Sequence, residues 1–406
     1  MRNPMKNSRG DASSDPTITH LAAVETHKQH ASMDDRIWRQ LPEDCIDRIL
    51  ARQPLPTIFR FRSVCKRWNS FIFSDAFFCL QSEITSRPHS FLLCTHGRVA
   101  CIYSFISQQW HFLALPKINL PITIAPVSVV SASESLLCYG NLVAECTTLF
   151  VSNPFTKTLR NLPAMQRIRL IHKVSMTADP STNSYKIMVA GEDKDPFTNP
   201  HTYNLSTEIY HSVSDSWTMA GCPPPEAKFG SADPGVWCSA VFYCITELPY
   251  GVVAFDLNRE QWEEVRAPMP SCLSSPSLLE HRGRLLMVGR VYHSQGVSYK
   301  TESIPEVESI RIWELQSGER DQWVEIQKMP TNLCMEFMKS VKPYTPIVCV
   351  GVENLICLAT HLSPQVLVHD LSNEQWHWLP RDPLFPKCRN FYLLGFSLKP
   401  RLDTQP

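Results

Sequence analysis

Residues Arg36 to Ile72 read R-I-W-R-Q-L-P-E-D-C-I-D-R-I-L-A-R-Q-P-L-P-T-I-F-R-F-R-S-V-C-K-R-W-N-S-F-I. The segment from Leu41 to Asp44 predicts a helix start. Pro42 loses no hydrogen bond at the first helical position, and the two carboxylates favour the positive end of the helix dipole. Apolar side chains then recur three and four residues apart, which predicts one buried helical stripe. These apolar residues are Ile46, Ile49 and Leu50.

A second helix is predicted from Phe61 to Ile72, because large apolar residues recur there at helical spacing and basic residues fill the other face. Pro54 and Pro56 separate the two helices, since neither can donate a backbone hydrogen bond into a helix. Short helices with few large apolar residues bury little core by themselves. The stretch is therefore either a small cap on the next domain or a docking module that completes its core on a partner.

The pattern L-P-x-D-x-I-x-x-I-L, a proline-containing turn and F-R-x-V-C-K-R-W-N resemble the F-box. F-box proteins bind a Skp-family adaptor and so bring substrates to a cullin-RING ubiquitin ligase. One position departs from the family pattern, because Gln53 stands where the F-box prefers Leu or Val. The resemblance implies an adaptor-binding set of Leu41, Pro42, Ile46, Ile49, Leu50, Pro56, Val64, Cys65 and Trp68.

Charge is balanced over the 406 residues, with 39 basic and 39 acidic side chains, which argues against a global field for nucleic acid. Residues 36–68 are the local exception, with eight basic side chains against three acidic ones. A solvated helical face and an acidic protein partner explain this excess equally well. A helix-turn-helix that binds DNA is the less favoured explanation.

The fifteen cysteines are scattered from Cys45 to Cys388 without any C-x-x-C pair, which argues against zinc sites and a disulfide scaffold. Many lie in apolar runs, where a thiol behaves as a small buried hydrophobe, so a reducing compartment is expected. No signal-peptide core precedes residue 34, and no apolar run approaches the ~18 residues of a membrane span. We therefore expect no metal, cofactor or membrane contact, and a location in nucleus and cytoplasm.

The chain divides into four parts by its amino-acid composition and hydrophobic pattern. Residues 1–34 are polar without an apolar period, which predicts a disordered tail, and translation from Met1 or Met33 would leave the rest intact. The F-box is predicted over 35–82, a β domain over 83–400 and a second tail over 401–406.

Six segments of the β domain repeat one pattern, an apolar strand, a polar turn, a large residue, another short strand and a proline. The first and last of these large residues are 266 positions apart (376 − 110) over five intervals, about 53 per repeat. This spacing predicts a six-bladed β-propeller, in which Asn390–Leu398 completes a blade begun near Phe91–Cys94. The six large residues are Trp110, Leu159, Trp217, Trp262, Trp323 and Trp376.

This second half resembles the kelch-type domains that plants attach to F-boxes. M-D-D-R-I-W (33–38), S-P-S-L-L-E-H-R-G-R-L (275–285) and W-V-E-I-Q-K-M-P (323–330) are similar to the unusual-floral-organs type. The kelch glycine doublet is absent, since Gly191 and Gly289 stand singly. The resemblance implies an all-α F-box followed by an all-β kelch-type propeller, an α+β multidomain chain without catalytic residues. It implies a substrate-recognition subunit of a Skp–cullin–F-box ligase, or a cofactor that docks on a transcription factor.

A propeller enzyme is the alternative from another class, and it would need carboxylate pairs or metal ligands near the blade mouths. The histidines are instead spread singly among the repeats. For a protein substrate we expect contacts from long loops, namely Gly191–Tyr203, Pro223–Gly235 and Tyr292–Val307. The first loop joins charges to an aromatic residue, as a binding surface does, although a solvated loop has the same composition. Its candidate substrate contacts are Asp193, Asp195 and Phe197.

Overall fold

The computed structural model describes two compact units, one ending at Leu50 and the other spanning Ala51–Pro406. The tail predicted for residues 1–34 lies outside the described part of the chain. The described residues are 35–83, 90–94, 99–116, 118, 128–140, 149–167, 169–193, 204–229, 234–247, 249–292, 307–339, 346–360, 365–381 and 394–406.

The described part of the chain begins with five short helices. Helix α2 begins as the sequence predicts, with Glu43 and Asp44 in its first turn. The Pro42 carbonyl accepts hydrogen bonds from the backbone N–H groups of Cys45 and Ile46, at 3.1 and 3.2 Å, so Pro42 lies just before the helix. The helices are α1 (Asp35–Gln40), α2 (Glu43–Ala51), α3 (Leu55–Phe61), α4 (Lys66–Phe71) and α5 (Asp75–Ser82).

The single helix predicted from Phe61 to Ile72 is wrong, because α3 ends at Phe61 and only α4, Lys66–Phe71, lies within this stretch. Pro54 is the N-cap of α3, so the prolines start this helix as well as separating it from α2. The break lies at Cys65, whose backbone is extended at φ −157° and ψ 162°. A helix cannot continue through that conformation, although apolar spacing carries across it.

In the part of the chain that the structure describes, twenty-four strands follow, arranged as six four-stranded sheets in which neighbouring strands are antiparallel, and helix α6 (Thr331–Met338) lies between β19 and β20. Sheet A has the order β24-β1-β2-β3, while sheets B to F take four consecutive strands each. The bounds are β1 (Ser90–Cys94), β2 (Val99–Ser104), β3 (Gln109–Ala114), β4 (Ser128–Ser133), β5 (Leu136–Gly140), β6 (Phe150–Asn153), β7 (Thr158–Asn161), β8 (Arg169–Asp179), β9 (Ser184–Asp193), β10 (Asn204–His211), β11 (Ser216–Ala220), β12 (Val236–Cys238), β13 (Val241–Thr246), β14 (Gly251–Asp256), β15 (Gln261–Glu264), β16 (Leu273–His281), β17 (Arg284–Tyr292), β18 (Val307–Gln316), β19 (Gln322–Lys328), β20 (Ile347–Val352), β21 (Leu355–Thr360), β22 (Leu367–Asp370), β23 (Gln375–Trp378) and β24 (Leu394–Leu398).

Strand β24 closes the arrangement, because it pairs antiparallel with β1 along its whole length, from Leu394 opposite Cys94 to Leu398 opposite Ser90. The last apolar run thus completes the first sheet, as the sequence predicts. Six buried apolar clusters each join two consecutive sheets, and one of them joins sheet F back to sheet A. The sheets therefore bury their faces against one another around a closed ring, which is the propeller architecture.

The large residue of each repeat occupies the second position of the outermost strand of its sheet. In five repeats, the residue two positions earlier has a positive φ, between 50° and 63°, which reverses the chain into that strand. This turn geometry explains the polar pattern that precedes five of the six large residues. The positive-φ residues are Gln108, Lys157, Asp215, Glu260 and Glu374.

Three of these tryptophans also hydrogen-bond to the preceding sheet. The indole N–H of Trp110 donates to the Pro380 carbonyl at 2.7 Å, and that of Trp217 donates to the Pro163 carbonyl at 2.9 Å. The repeated proline after one sheet thus supplies the acceptor for the tryptophan of the next. Trp262 donates instead to the Thr207 hydroxyl of sheet C, at 2.9 Å.

The two single glycines permit close approach of neighbouring chain segments. A Cβ on Gly191 would lie 2.2 Å from the Leu170 carbonyl oxygen of the adjacent strand, and one on Gly289 would lie 2.4 Å from the Leu273 side chain. Real Cβ atoms essentially never come this close, so a larger residue would push these strands apart.

Helices α3 to α5 share one buried cluster with sheets A and B. The cluster contains Ile58, Ile72 and Phe77 from the helices, together with Ile102 of sheet A and Tyr139 of sheet B. The second half of the helical segment is therefore packed on the propeller rather than tethered to it.

The last six residues are also packed, whereas the sequence predicts a tail over 401–406. Leu402 is fully buried and belongs to the cluster shared by the helices and sheets A and B, and Thr404 is buried as well. The prediction missed this packing because one leucine among polar residues gives no periodic signal.

Trp262 packs between the rings of Phe229, Phe242 and Phe255, with centroids 5.2–6.4 Å away. We expect Trp262→Ala to lower the free energy of unfolding by about 3–5 kcal/mol, because a large aromatic leaves a cavity. Trp262→Phe keeps most of the ring and loses one hydrogen bond, so we expect it to lower the free energy of unfolding by about 1 kcal/mol.

Urea denaturation of the parent, Trp262→Phe and Trp262→Ala measures their free energies of unfolding, which we expect to decrease in that order. Phe112→Ala is the matched control, since 62% of the Phe112 side chain is exposed, and a change within about 0.5 kcal/mol is expected. An alanine variant as stable as the parent would contradict the packing role of Trp262.

Candidate functional site

The most exposed part of the predicted adaptor-binding set is the junction between α3 and α4. We name residues 60–68 the docking segment. The Ser63 hydroxyl donates to the Arg60 carbonyl at 2.7 Å and ends α3. Val64 follows with 60% of its side chain exposed. Because α3 ends before Val64 and α4 begins after Cys65, the turn presents an apolar side chain to solvent.

Cys65 has a structural role that the sequence did not predict. Its Sγ accepts a hydrogen bond from the backbone N–H of Trp68 at 3.4 Å, so Cys65 is the N-cap of α4. A cap satisfies one of the backbone donors that the first helical turn leaves without a partner. The Trp68 ring meets Phe61 edge-on at 5.2 Å between centroids, so Trp68 is half-buried.

Positive charge surrounds this apolar turn. Arg60, Arg62 and Lys66 are exposed, and the sequence has no Asp or Glu from Gln53 to Ser74. Arg62 is held in place, because its Nε donates to the Asn69 amide oxygen at 3.0 Å and its guanidinium lies 4.7 Å from the Phe73 ring centroid. The docking segment is therefore an apolar point within a basic surface.

Helix α3 also lies beside sheet A. Burial lowers the pKa of His111 on β3, and the charge of Arg60 lowers the pKa further. An imidazole with a lowered pKa is neutral at physiological pH, so it adds no charge to the basic surface.

The remaining adaptor-binding candidates differ in exposure. Pro42 is exposed and Leu41 and Ile46 are half-buried, while 39% of Ile49 is exposed. Leu50 is only 2% exposed, so its side chain presents almost no surface for docking. The side chain of Pro56 lies outside the described residues.

Two of the three substrate-contact candidates, Asp195 and Phe197, lie outside the described residues, as does the side chain of Asp193. The topology nevertheless locates the ends of the three long connections. Two of these connections follow the second strand of a sheet, namely β9 of sheet C and β17 of sheet E. The third joins β11, the last strand of sheet C, to β12, the first strand of sheet D. In consecutive antiparallel sheets these connections all emerge at the same end, opposite to the tight turns.

Two of the described histidines contact neighbouring side chains. His172 Nε2 lies 3.1 Å from a carboxylate oxygen of Glu192, and the His369 ring stacks on Trp376 at 4.2 Å between centroids. Within the residues that the structure describes, no group of three or more metal-ligating side chains comes together. No helix in the described ranges is long and apolar enough to cross a membrane.

Comparison with known proteins agrees with this architecture. The F-box domain model matches residues 38–80, and the KIB1-4 beta-propeller model matches residues 102–340, more than half of the chain. The chain belongs to the KIB1-4 beta-propeller family. The sequence prediction of a helical F-box followed by a β-propeller is thereby confirmed.

Relatives of this KIB1-4 propeller protein come from plants. ABERRANT PANICLE ORGANIZATION 1 of Oryza sativa subsp. indica is 29% identical over 371 residues, covering 86% of this chain and 84% of that protein. UNUSUAL FLORAL ORGANS of Arabidopsis thaliana is 28% identical over 374 residues, covering 86% and 80%. An Arabidopsis F-box/kelch-repeat protein is 25% identical over 421 residues, covering 96% and 97%. The predicted resemblance to plant F-box/kelch proteins is confirmed.

The capping role of Cys65 generates a test. We expect Cys65→Ala to destabilise α4 by about 0.5–2 kcal/mol, because the Trp68 N–H loses its acceptor. Cys65→Ser should retain or improve the cap, since a hydroxyl accepts the same bond. Amide hydrogen exchange of residues 66–71 measures the effect, with the exposed Cys222→Ala as control. Equal exchange in the serine and alanine variants would contradict capping.

Proposed function

We propose that this protein is the substrate-recognition subunit of a Skp–cullin–F-box ubiquitin ligase. The observation that carries the proposal is the docking segment, in which exposed Val64 stands within a basic surface on helices that match the F-box. The F-box would bind a Skp-type adaptor and, through it, a cullin. The propeller would bind a protein substrate, and this chain would carry no catalytic residue and no cofactor.

The same architecture would serve a cofactor that docks on a transcription factor, which is the alternative implied by the resemblance to the unusual-floral-organs type. The two functions differ in what happens to the bound protein. Affinity purification with and without proteasome inhibition separates them, because a degraded substrate accumulates only when the proteasome is blocked. Microscopy of the tagged full chain tests the proposed location in nucleus and cytoplasm.

One test of adaptor binding concerns the two residues that precede α2. We expect Leu41→Ala with Pro42→Ala to weaken adaptor binding at least about tenfold, because each buried side chain of this size contributes roughly 1.5–3 kcal/mol. Titration of the full chain with purified Skp-type adaptor measures the affinity. Val213→Ala with Pro225→Ala is the matched control at exposed propeller positions. Unchanged adaptor binding in the Leu41 and Pro42 double variant would contradict adaptor docking through these two residues.

A second prediction concerns the basic surface. We expect Arg60→Gln with Lys66→Gln to slow association with an acidic adaptor roughly threefold or more at low salt, and to reduce the salt dependence of the rate. Stopped-flow mixing at two ionic strengths measures both. Arg282→Gln with Arg320→Gln removes two exposed propeller cations as control. Equal salt dependence in all three proteins would show that these charges do not steer docking.

A third prediction concerns substrate contact. Asp193, Asp195 and Phe197 stay candidate residues, and we expect their joint replacement by Ala to remove a substrate from the affinity-purified set. Thermal denaturation should change little, because loop substitutions outside the core shift stability by less than about 0.5 kcal/mol. Adaptor binding should persist. An identical set of retained proteins would move the substrate contact to the connections near Pro224 or Tyr292.

A further inference from the structure

Residues 399–406, here named the strap, run across the tight-turn end of sheets B and C. The Lys399 N–H donates to the Glu134 carbonyl at 2.8 Å, and Lys399 Nζ lies 2.8 Å from a Glu134 carboxylate oxygen. Glu134 is in the β4–β5 turn of sheet B. Further along, the Gln405 N–H points to the Asn183 amide oxygen in the β8–β9 turn, at 3.5 Å. The strap thus continues from the closing strand β24 of sheet A onto sheets B and C.

Asn153 fastens the middle of the strap. Its amide Nδ2 donates to the carbonyls of Arg401 and Thr404, at 3.0 and 2.9 Å. Its amide oxygen accepts the N–H of Phe155 at 3.0 Å, so the same side chain also shapes the β6–β7 turn. Asn153 is fully buried, where a lost hydrogen bond leaves a polar group without solvent.

The equivalent residue of sheet D separates the two roles of Asn153, which are to accept a hydrogen bond in the turn and to donate hydrogen bonds to the strap. Asp256 also ends the third strand of its sheet, and its carboxylate accepts the N–H groups of Asn258 and Arg259 at 2.8 and 3.1 Å. A carboxylate serves the turn but cannot donate to a carbonyl. The amide donor at Asn153 is therefore required for the strap and not for the turn.

The apolar contact of the strap is Leu402, whose side chain is fully buried. It belongs to the cluster that contains Ile58, Ile72 and Phe77 of α3 to α5, and Phe155 of the β6–β7 turn. The strap therefore contributes to the same core that packs helices α3 to α5 on the propeller. Thr404, also buried, follows Leu402 toward sheet C.

We infer that the strap holds helices α3 to α5 in place on the propeller, and so positions the docking segment. Asn153 fixes the strap backbone, which places Leu402 in the helix–sheet core. The core in turn orders the helices on either side of Val64. The strap's effect on the helices follows from these contacts alone, whereas its consequence for adaptor binding rests on the proposed function.

Amide hydrogen exchange of the full chain, followed by mass spectrometry, tests the inference. Asn153→Asp keeps the turn acceptor and removes the donor, and Leu402→Ala removes the apolar contact. Asp256→Asn is the matched control, because it exchanges carboxylate and amide in the reverse direction at the equivalent position of sheet D, where the side chain serves only the turn. In the first two variants we expect residues 55–82 to exchange at least tenfold faster, with sheet D unchanged. In the control we expect residues 55–82 to match the parent.

Two results would overturn the inference. One is faster exchange confined to residues 394–406, which would make the strap part of ring closure only. The other is an equal increase in every sheet, which would make it a general stabiliser. If Leu402→Ala does not fold, Leu402→Val, which removes one methylene, gives the same comparison. A parent that binds no Skp-type adaptor would contradict the proposed function, while exchange in residues 55–82 would still decide the role of the strap.

Discussion

The antiparallel pairing of β24 with β1 is the constraint on which the rest of the propeller depends. Without β24, sheet A would have three strands and an open inner edge, and the cluster shared with sheet B would lose Phe396 and Leu398. The contact joins residues about three hundred positions apart, Ser90 to Leu398 and Cys94 to Leu394, so it brings the two ends of the β domain into one sheet. The apolar face of each sheet is buried by its neighbour, and ring closure is what gives every sheet two neighbours.

Helices α3 to α5 pack against this closed ring of sheets. Helices α3 to α5 complete a core with sheets A and B, and the chain that follows β24 returns to the same core through Leu402. Short helices bury too little apolar surface to hold a fixed position alone. Packing on the ring supplies that surface, so the basic, apolar-tipped docking segment stands on a rigid base. The long connections emerge at the end of the sheets opposite to the tight turns that carry the strap.

The polar contacts at the edges of the sheets hold neighbouring sheets at a fixed distance. The indole N–H groups of Trp110 and Trp217 reach carbonyls at the end of the preceding sheet. Arg160 of sheet B forms an ion pair with Asp215 of sheet C at 3.0 Å, and Asp215 also accepts the hydroxyl of Tyr210 at 2.6 Å. Apolar clusters supply the bulk of the attraction, and these directional bonds select one spacing between sheets.

The sequence by itself determined the helical module, the repeating sheets and the strand that closes them, because helical spacing, recurrent turns and large residues are local signals. It also placed the carboxylates at the start of α2. Only the tertiary structure decided that α3 and α4 are separate, because the extended backbone at Cys65 leaves no mark in apolar spacing. The roles of Asn153 and Leu402 were likewise invisible. Their partners lie some 250 and 325 residues away along the chain, and the donor, acceptor and apolar contact that define them exist only after the ring has closed.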